Sequence, residues 1–427
     1  MDNKTKIAVI GMGYVGLPLA LEFSKFFQTT GFDINKTRIE NLKKNIDENN
    51  EFQKIYLKKF RKIRYSNLIN DIINANVYII CLPTPLYKNM KPNLVAVKST
   101  IKTISKFIKP DDMIILESTV YPGVCEEICI PIVEKYSNLT LITDTNKKGF
   151  LFGYSPERVN PGDKVNTLKK IKKIVSSNST LGLSKISYLY SKIITAGIYK
   201  IKNIKLAESS KVIENVQRDV NIALINEFAN IFANENFSIY DLIEASSTKW
   251  NFMKFYPGLV GGHCIGVDPY YLSYWAKLKN KSPRIILAGR ETNDNMFNNV
   301  VKKIKTISKN KKISLNNCKM LIMGYTFKEN CSDIRNTQVN KLFSSFLNMT
   351  SQIDIFDPRA NKDKLDNKIK KYFVNFPKKN YYDVIIIAVN HNDFKKIGYQ
   401  NIKKFSKLKS FIFDLKNCFN NKELFYL

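Results

Sequence analysis

Gly11, Gly13 and Gly16 stand in the pattern G-x-G-x-x-G, directly after the apolar run Lys6 to Ile10 and at the start of an apolar-periodic stretch. Between a strand and a helix this spacing suits a pyrophosphate. The first glycine permits the tight turn, the second lets backbone amides approach the anion, and the third lets the helix pack on the strand. Asp33 ends a second apolar run about twenty residues on, where a carboxylate accepts from adenosine ribose hydroxyls. The same carboxylate repels a 2′-phosphate and favours NAD over NADP. Lys36 and Arg38 keep NADP open, because a nearby cation accommodates that phosphate.

Far along the chain, YPGLVGGHCIGVDPYYL places Cys264 behind Gly258, Gly261 and Gly262, whose freedom lets a backbone approach a ligand closely. A lone cysteine is ordinarily a small buried hydrophobe. Alongside a hydride-accepting cofactor, a thiol has a further use. Oxidising a primary alcohol to an aldehyde removes one hydride, but removing a second requires a tetrahedral carbon that bears oxygen. Addition of Cys264 supplies that carbon as a thiohemiacetal, and the thioester that follows hydrolyses to a carboxylate. The thiol then needs cations or amides nearby, and its oxyanion needs donors. Lys211 and Asn215, four residues apart and so on one helix face, are candidate donors; otherwise they belong to a solvated polar stripe. Asp268, four residues beyond Cys264, can position or deprotonate the hydrolytic water; otherwise it is a turn residue before Pro269. A two-electron reductase with a structural Cys264 is the competing enzymatic reading.

These groups need elements to hold them. KIAVIG, TTGFD, VYIICLPTP, MIILESTVYPG and FLFGYSPE are short apolar runs ending in turn residues and separated by helical stretches, which predicts a parallel sheet covered on both faces. From about Ile204 to Asn236 there is neither Gly nor Pro, and the apolar spacing predicts one long helix. A loop rich in Gly, Pro and aromatics over 250–275 separates two further helical stretches, and from Lys319 strand and helix signals alternate again. The expected fold is α/β, with two Rossmann-like doubly wound domains joined by a long central helix and a helical dimerisation region. The boundaries fall at 1–203, 204–312 and 313–427, with ligands at the carboxyl ends of the strands.

Composition narrows the class. At 427 residues, a prior of roughly 150 per domain predicts two or three units. No apolar run approaches the roughly 18 residues a membrane span needs, and the N-terminus lacks a signal-peptide pattern, so a cytoplasmic protein is expected. Seven scattered cysteines argue against a disulfide framework. Cys125 and Cys129 can share a helix face, but neither His263 nor His391 is near in sequence, and no metal is expected. The formal charge of +31 points toward anionic partners, a polyanion or nucleic-acid binder among them. The lysines, however, are spread along the chain without interleaved aromatics, which reads as a chain-wide composition bias and argues against nucleic acid, although an anionic substrate would benefit from the field.

Together, GMGYVG, CLPTP, ESTVYPG, SPERVNPG, AESSKVIEN, GGHCIGVDPYY and MGYTFKENCSDIRNT resemble the UDP-glucose/GDP-mannose dehydrogenase family across nearly the whole chain and in family order. The resemblance implies an N-terminal NAD domain, a central dimerisation region, a C-terminal domain for the nucleotide part of a UDP-sugar, and two NAD per catalytic cycle. It places the nucleophile on Cys264, the oxyanion donors on Lys211 and Asn215, and the carboxylate by the water on Asp268. Thr119 is implied to hold that water, and Glu157 to assist proton transfer or orient Lys211. Tyr14, Val15, Pro83, Thr84 and Arg38 are implied to join the glycines, Asp33, Thr119 and Arg335 around the cofactor. Arg158, Val159, Arg218, Phe255, Tyr256, Gly258, Gly261 and Lys328 are implied substrate contacts. Pro161 and the Cys264 loop depart from the glucose enzymes and are similar to the branch acting on UDP-N-acetylhexosamines. STKWNFMKFYPGLVGGHC is similar to the Vi-antigen type of UDP-N-acetylglucosamine or galactosamine 6-dehydrogenase. UDP-N-acetylmannosamine and UDP-glucose remain the alternatives, and capsule or O-antigen synthesis is the implied use.

Overall fold

Residues 4–49, 51–159, 165–350, 352–421 and 423–427 are described by a computed structural model. Pro161 lies outside them. Two compact units form, Met1–Glu214 with Tyr270–Lys281, and Asn215–Pro269 with Ser282–Leu427. The long helix runs from Ile204 to Ile231 and belongs to both. It stops short of Asn236 because the chain closes in i−3 turns, Ala233 N donating to Asn230 O at 3.3 Å and Glu235 N to Phe232 O at 3.1 Å.

In the first unit, β1 (Lys6–Ile10), β2 (Gln28–Phe32), β3 (Arg64–Ser66), β4 (Val77–Ile80), β5 (Met113–Leu116), β6 (Leu151–Tyr154), β7 (Lys173–Ser177) and β8 (Ile198–Ile201) form one sheet in the order β3-β2-β1-β4-β5-β6-β7-β8. VYII and MIIL are buried along their whole length, as strands covered on both faces must be. The sheet departs from the expected all-parallel form at one place, where β6 and β7 pair antiparallel. A parallel return needs a crossover, and the described part of the β6–β7 connection contains only the 3₁₀ turn Leu168–Lys170. Strand β8 escaped the sequence reading because it is a short edge strand with an exposed Tyr199, and so shows no apolar run.

In the second unit, β9 (Lys319–Met323), β10 (Gln352–Phe356), β11 (Tyr382–Ile387) and β12 (Ser406–Asp414) form a parallel sheet in the order β10-β9-β11-β12. Its first turn repeats the logic of the larger sheet. Gly11 N donates to Phe32 O at 2.8 Å, and Gly324 N to Phe356 O at 2.9 Å, each glycine at positive φ. An aspartate ends the neighbouring strand in both and accepts amides of that turn, Asp33 from Met12 N (2.8 Å) and Asp357 from Tyr325 N (2.6 Å) and Thr326 N (3.0 Å). They differ in access. Asp357 is buried with His391 Nε2 at 3.2 Å, whereas Asp33 is only half-buried. No helix of the described residues is long and apolar enough to cross a membrane.

Candidate functional site

The N-terminal turn separates two reasons for glycine. Gly11 has φ +96°, and a Cβ there would lie 2.5 Å from Cys81 O; a Cβ on Gly16 would lie 1.9 Å from Gly11 O. The chain's own packing therefore demands both. A Cβ on Gly13 would meet nothing within 4 Å, so Gly13 faces open space. The helix Gly16–Phe23 behind it has no side-chain cap and no acidic residue in its first turn, which leaves its amide end for an anion. Tyr14 and Val15 lie in this turn, half-buried. Asp33 is fixed by Met12 N through Oδ2 and by Asn35 N (2.9 Å) through Oδ1.

Arg38 lies against the same turn. Its guanidinium is buried, pairs with Asp47 Oδ1 at 2.8 Å, and donates from Nε to Met12 O at 2.9 Å. It braces the glycine turn from behind. Lys36 is exposed and 3.9 Å from Glu40.

At the carboxyl ends of β4 to β6, Thr84 Oγ1 donates to Thr119 O (2.7 Å), and Tyr271 Oη donates to Thr84 O (2.5 Å). Pro83, next to Thr84, is exposed. Glu157 Oε1 accepts from the amides of Arg158 (2.7 Å) and Val159 (2.6 Å), which folds the carboxylate back onto its own loop. Arg158 is paired with Glu214 (2.7 Å) on the long helix. Lys211 is buried on that helix, three residues before. Behind Glu157 stand two residues the sequence did not single out, Lys173 and Glu117. Burial pushes the Glu117 carboxyl up to about 7, against the pull of Lys173. Burial also works against the Lys173 charge, but Glu117 and Glu157 outweigh it and hold the ammonium above the usual lysine value.

In the second unit, Asn215 Nδ2 donates to Asp268 Oδ2 at 2.5 Å, joining two expected site residues that lie 53 positions apart. Asp268 is not a turn residue. It opens the helix Asp268–Leu278, whose first turn tolerates Pro269 because that amide has no intrahelical partner. Its own amide donates to Cys264 O at 2.9 Å, so thiol and carboxylate sit one helical turn apart. Cys264 is exposed.

The glycines before Cys264 do not make that loop flexible. A Cβ on Gly261 would lie 2.5 Å from Asn336 O, one on Gly262 2.5 Å from the Phe327 ring, and one on Gly258 2.1 Å from Lys416 Nζ. They let the backbone press against its own unit. Gly258 is also clasped by Asn226, whose Oδ1 accepts from Gly258 N at 2.8 Å and whose Nδ2 donates to Gly258 O at 3.1 Å. Lys416, unmarked by the sequence reading, has Nζ 3.4 Å from Pro257 O, and burial pushes its ammonium below the usual lysine range. Burial lowers His263 to about 4, with the Arg335 guanidinium pushing the same way, so the imidazole beside Cys264 is neutral at neutral pH.

Arg335 makes a bidentate pair with Asp333, at 2.9 Å from Nε and 2.6 Å from Nη2. Lys328 lies with Nζ 5.7 Å from the Phe327 ring centroid. Phe255 packs against the core of this unit, Tyr256 stacks on Tyr240 at 6.0 Å, and Arg218 is exposed.

Asn226 belongs to a buried chain of polar groups. Its Nδ2 donates to Asn293 Oδ1 (2.8 Å), Asn293 Nδ2 to Asp219 Oδ1 (2.7 Å), and Arg290 joins Asp219 (2.6 Å) to Asp294 (2.7 Å). Arg290→Met leaves Asp219 charged and uncompensated in the interior. We expect a loss of about 3–5 kcal/mol in stability, read as a lowered midpoint in urea unfolding. A midpoint unchanged from the parent would refute the role given to this pair.

Models of one family match the chain in three parts: its NAD binding domain over residues 5–194, its central domain over 205–295 and its UDP binding domain over 321–421. The chain belongs to the UDP-glucose/GDP-mannose dehydrogenase family. Within that family it is similar to a UDP-N-acetyl-D-glucosamine 6-dehydrogenase of Salmonella typhi, 44% identical over 97% of this chain and 96% of the relative. Protein CapL of Staphylococcus aureus is 42% identical over 98% and 97%. The solved structure of a UDP-D-ManNAc dehydrogenase from Pyrococcus horikoshii superposes with a TM-score of 0.87 at 27% identity, covering 99% and 98%.

As a member of this dehydrogenase family, the chain is an NAD-dependent oxidoreductase of nucleotide sugars. The first unit suits that cofactor on its own geometry. Gly13 leaves room that no protein atom needs, the uncapped helix end favours a pyrophosphate, and Asp33 is held with its carboxylate partly open.

Proposed function

We propose that this chain oxidises C6 of a UDP-N-acetylhexosamine, UDP-N-acetylglucosamine first and UDP-N-acetylgalactosamine next, to the uronate in two oxidations. The observation that carries the reading is the 44% identity, over nearly its full length, with a UDP-N-acetyl-D-glucosamine 6-dehydrogenase. NAD, when bound, supplies the hydride acceptor for both oxidations. Cys264 Sγ adds to the C6 aldehyde; the C–S bond forms, and the thiol proton passes to the new hydroxyl. After the second oxidation, water attacks the thioester carbon, the C–S bond breaks and Cys264 regains its proton. The remaining N–H of Asn215 and the Lys211 ammonium serve the oxyanion, while Asp268, held by Asn215, orients the water with Thr119. The first unit takes the cofactor, for which Arg335 is also named; Lys328 and Lys416 suit the nucleotide phosphates. The reading includes a cytoplasmic homodimer that supplies uronate for capsule or O-antigen polysaccharide.

Stoichiometry tests the chemistry. Purified protein is expected to form two NADH per uronate, and one NADH with a free aldehyde would sink the covalent scheme. Comparing kcat/KM across UDP-N-acetylglucosamine, UDP-N-acetylgalactosamine, UDP-N-acetylmannosamine and UDP-glucose tests the substrate. UDP-N-acetylmannosamine is the second reading, favoured by the 0.87 TM-score with a UDP-D-ManNAc dehydrogenase.

A further inference from the structure

A lysine ammonium has three N–H donors, and Lys173 Nζ has three acceptors within reach: Glu117 Oε2 at 2.7 Å, Pro156 O at 3.0 Å and Glu157 Oε2 at 3.1 Å. Side-chain exposure is 3% for Lys173, 0% for Glu117 and 9% for Glu157, so water does not compete for these bonds. Glu117 sits at the end of β5, where its other oxygen accepts from the Tyr190 hydroxyl. The Tyr190 ring also lies 5.5 Å from the Lys173 ammonium. Lys173 is the first residue of β7, the strand that pairs antiparallel with β6. That reversed pairing brings the start of β7 to the end of β6, from which the Pro156–Val159 loop departs.

We propose that Lys173 is a positioning residue for Glu157, an interior cation that Glu117 holds in place and that fixes both the Glu157 carboxylate and the loop carrying it. The inference rests on the role given to Glu157 above. One Glu157 oxygen is spent on the amides of Arg158 and Val159 and the other on Lys173, so the carboxylate has a single orientation. Without the cation, the carboxylate is free to turn and the loop loses its anchor at Pro156 O. Interior ion pairs contribute little net stability but strongly restrict geometry, and supporting contacts of this kind hold a reacting group to within about 0.5 Å.

Lys173→Met alone strands two carboxylates in the interior and is expected to unfold. The test is therefore the double variant Glu117→Gln/Lys173→Met, which removes the cation together with its counter-charge. It is expected to melt cooperatively and to bind NADH within ~2-fold of the parent, while kcat falls by ~10–100-fold and KM for the UDP-sugar changes by less than ~3-fold. Glu157→Gln is measured beside it, and combining all three substitutions is expected to cost no more than Glu157→Gln itself, because residues acting as a unit are non-additive. If Glu157→Gln is impaired but the double variant turns over at the parental rate, Lys173 has no positioning role. If Glu157→Gln itself turns over at the parental rate, the role given to Glu157 is overturned first, and that of Lys173 with it.

Discussion

Cys264→Ala is expected to stop uronate formation, lowering kcat by roughly 10⁴-fold, the scale seen when a covalent nucleophile is removed. The thiol is exposed on a backbone turn whose far end is the Asp268 amide, and Asp268 in turn holds Asn215 at 2.5 Å. Removing Sγ leaves that turn and the Asn215 bond intact, so the variant is expected to melt with the parent. NADH affinity should also be unchanged, because the glycine turn and Asp33 belong to the first unit. The measurement is NADH release with mass analysis of the sugar. Full uronate production by Cys264→Ala refutes covalent catalysis, and the six other cysteines offer no rescue among the strands and helices described, since all but Cys418 are buried.

The second large effect separates glycines of one motif. Gly16→Ala puts a Cβ 1.9 Å from Gly11 O, a backbone atom that cannot yield without opening the turn. We expect a stability loss of at least about 1–3 kcal/mol, the usual cost of overpacking a tight interior. Gly13→Val meets no protein atom within 4 Å of its Cβ, so the melting midpoint is expected to stay within about a degree. Its branches instead occupy the space through which a pyrophosphate reaches the helix amides, and NADH affinity should fall by ~10²-fold, or about 2.7 kcal/mol. Thermal unfolding and NADH fluorescence titration read the two effects independently. A destabilised Gly13→Val with unchanged affinity would mean that Gly13, too, is a packing residue.

The first turn was legible because its signal is local. Glycine spacing, a short apolar strand and an apolar-periodic helix lie within one stretch of chain, although the atom for which Gly11 leaves room, Cys81 O, lies far along it. The long helix was legible for the same reason, as 28 residues without Gly or Pro. Asp268 stayed open between a site residue and a turn residue because Asp-Pro serves equally as a turn and as a helix start, and the fold places it at the start of a helix, one turn from Cys264. For Arg38 the sequence offered only its position near Asp33, and the fold adds its partners Asp47 and Met12 O.

Residue types and spacing alone therefore determined the dinucleotide turn and the two alternating α/β segments, since each is written in short-range periodicity. Tertiary structure alone decided which polar and charged groups meet. Asn215 and Asp268 lie 53 positions apart, and Lys173 and Glu117 lie 56 apart. Interior electrostatics depends on distance and burial, and neither quantity exists until the chain has folded. The antiparallel step between β6 and β7 belongs to the same class. It reverses β7 and β8 against the other six strands, and so delivers a lysine that reads as surface composition to the interior side of the loop that carries Glu157.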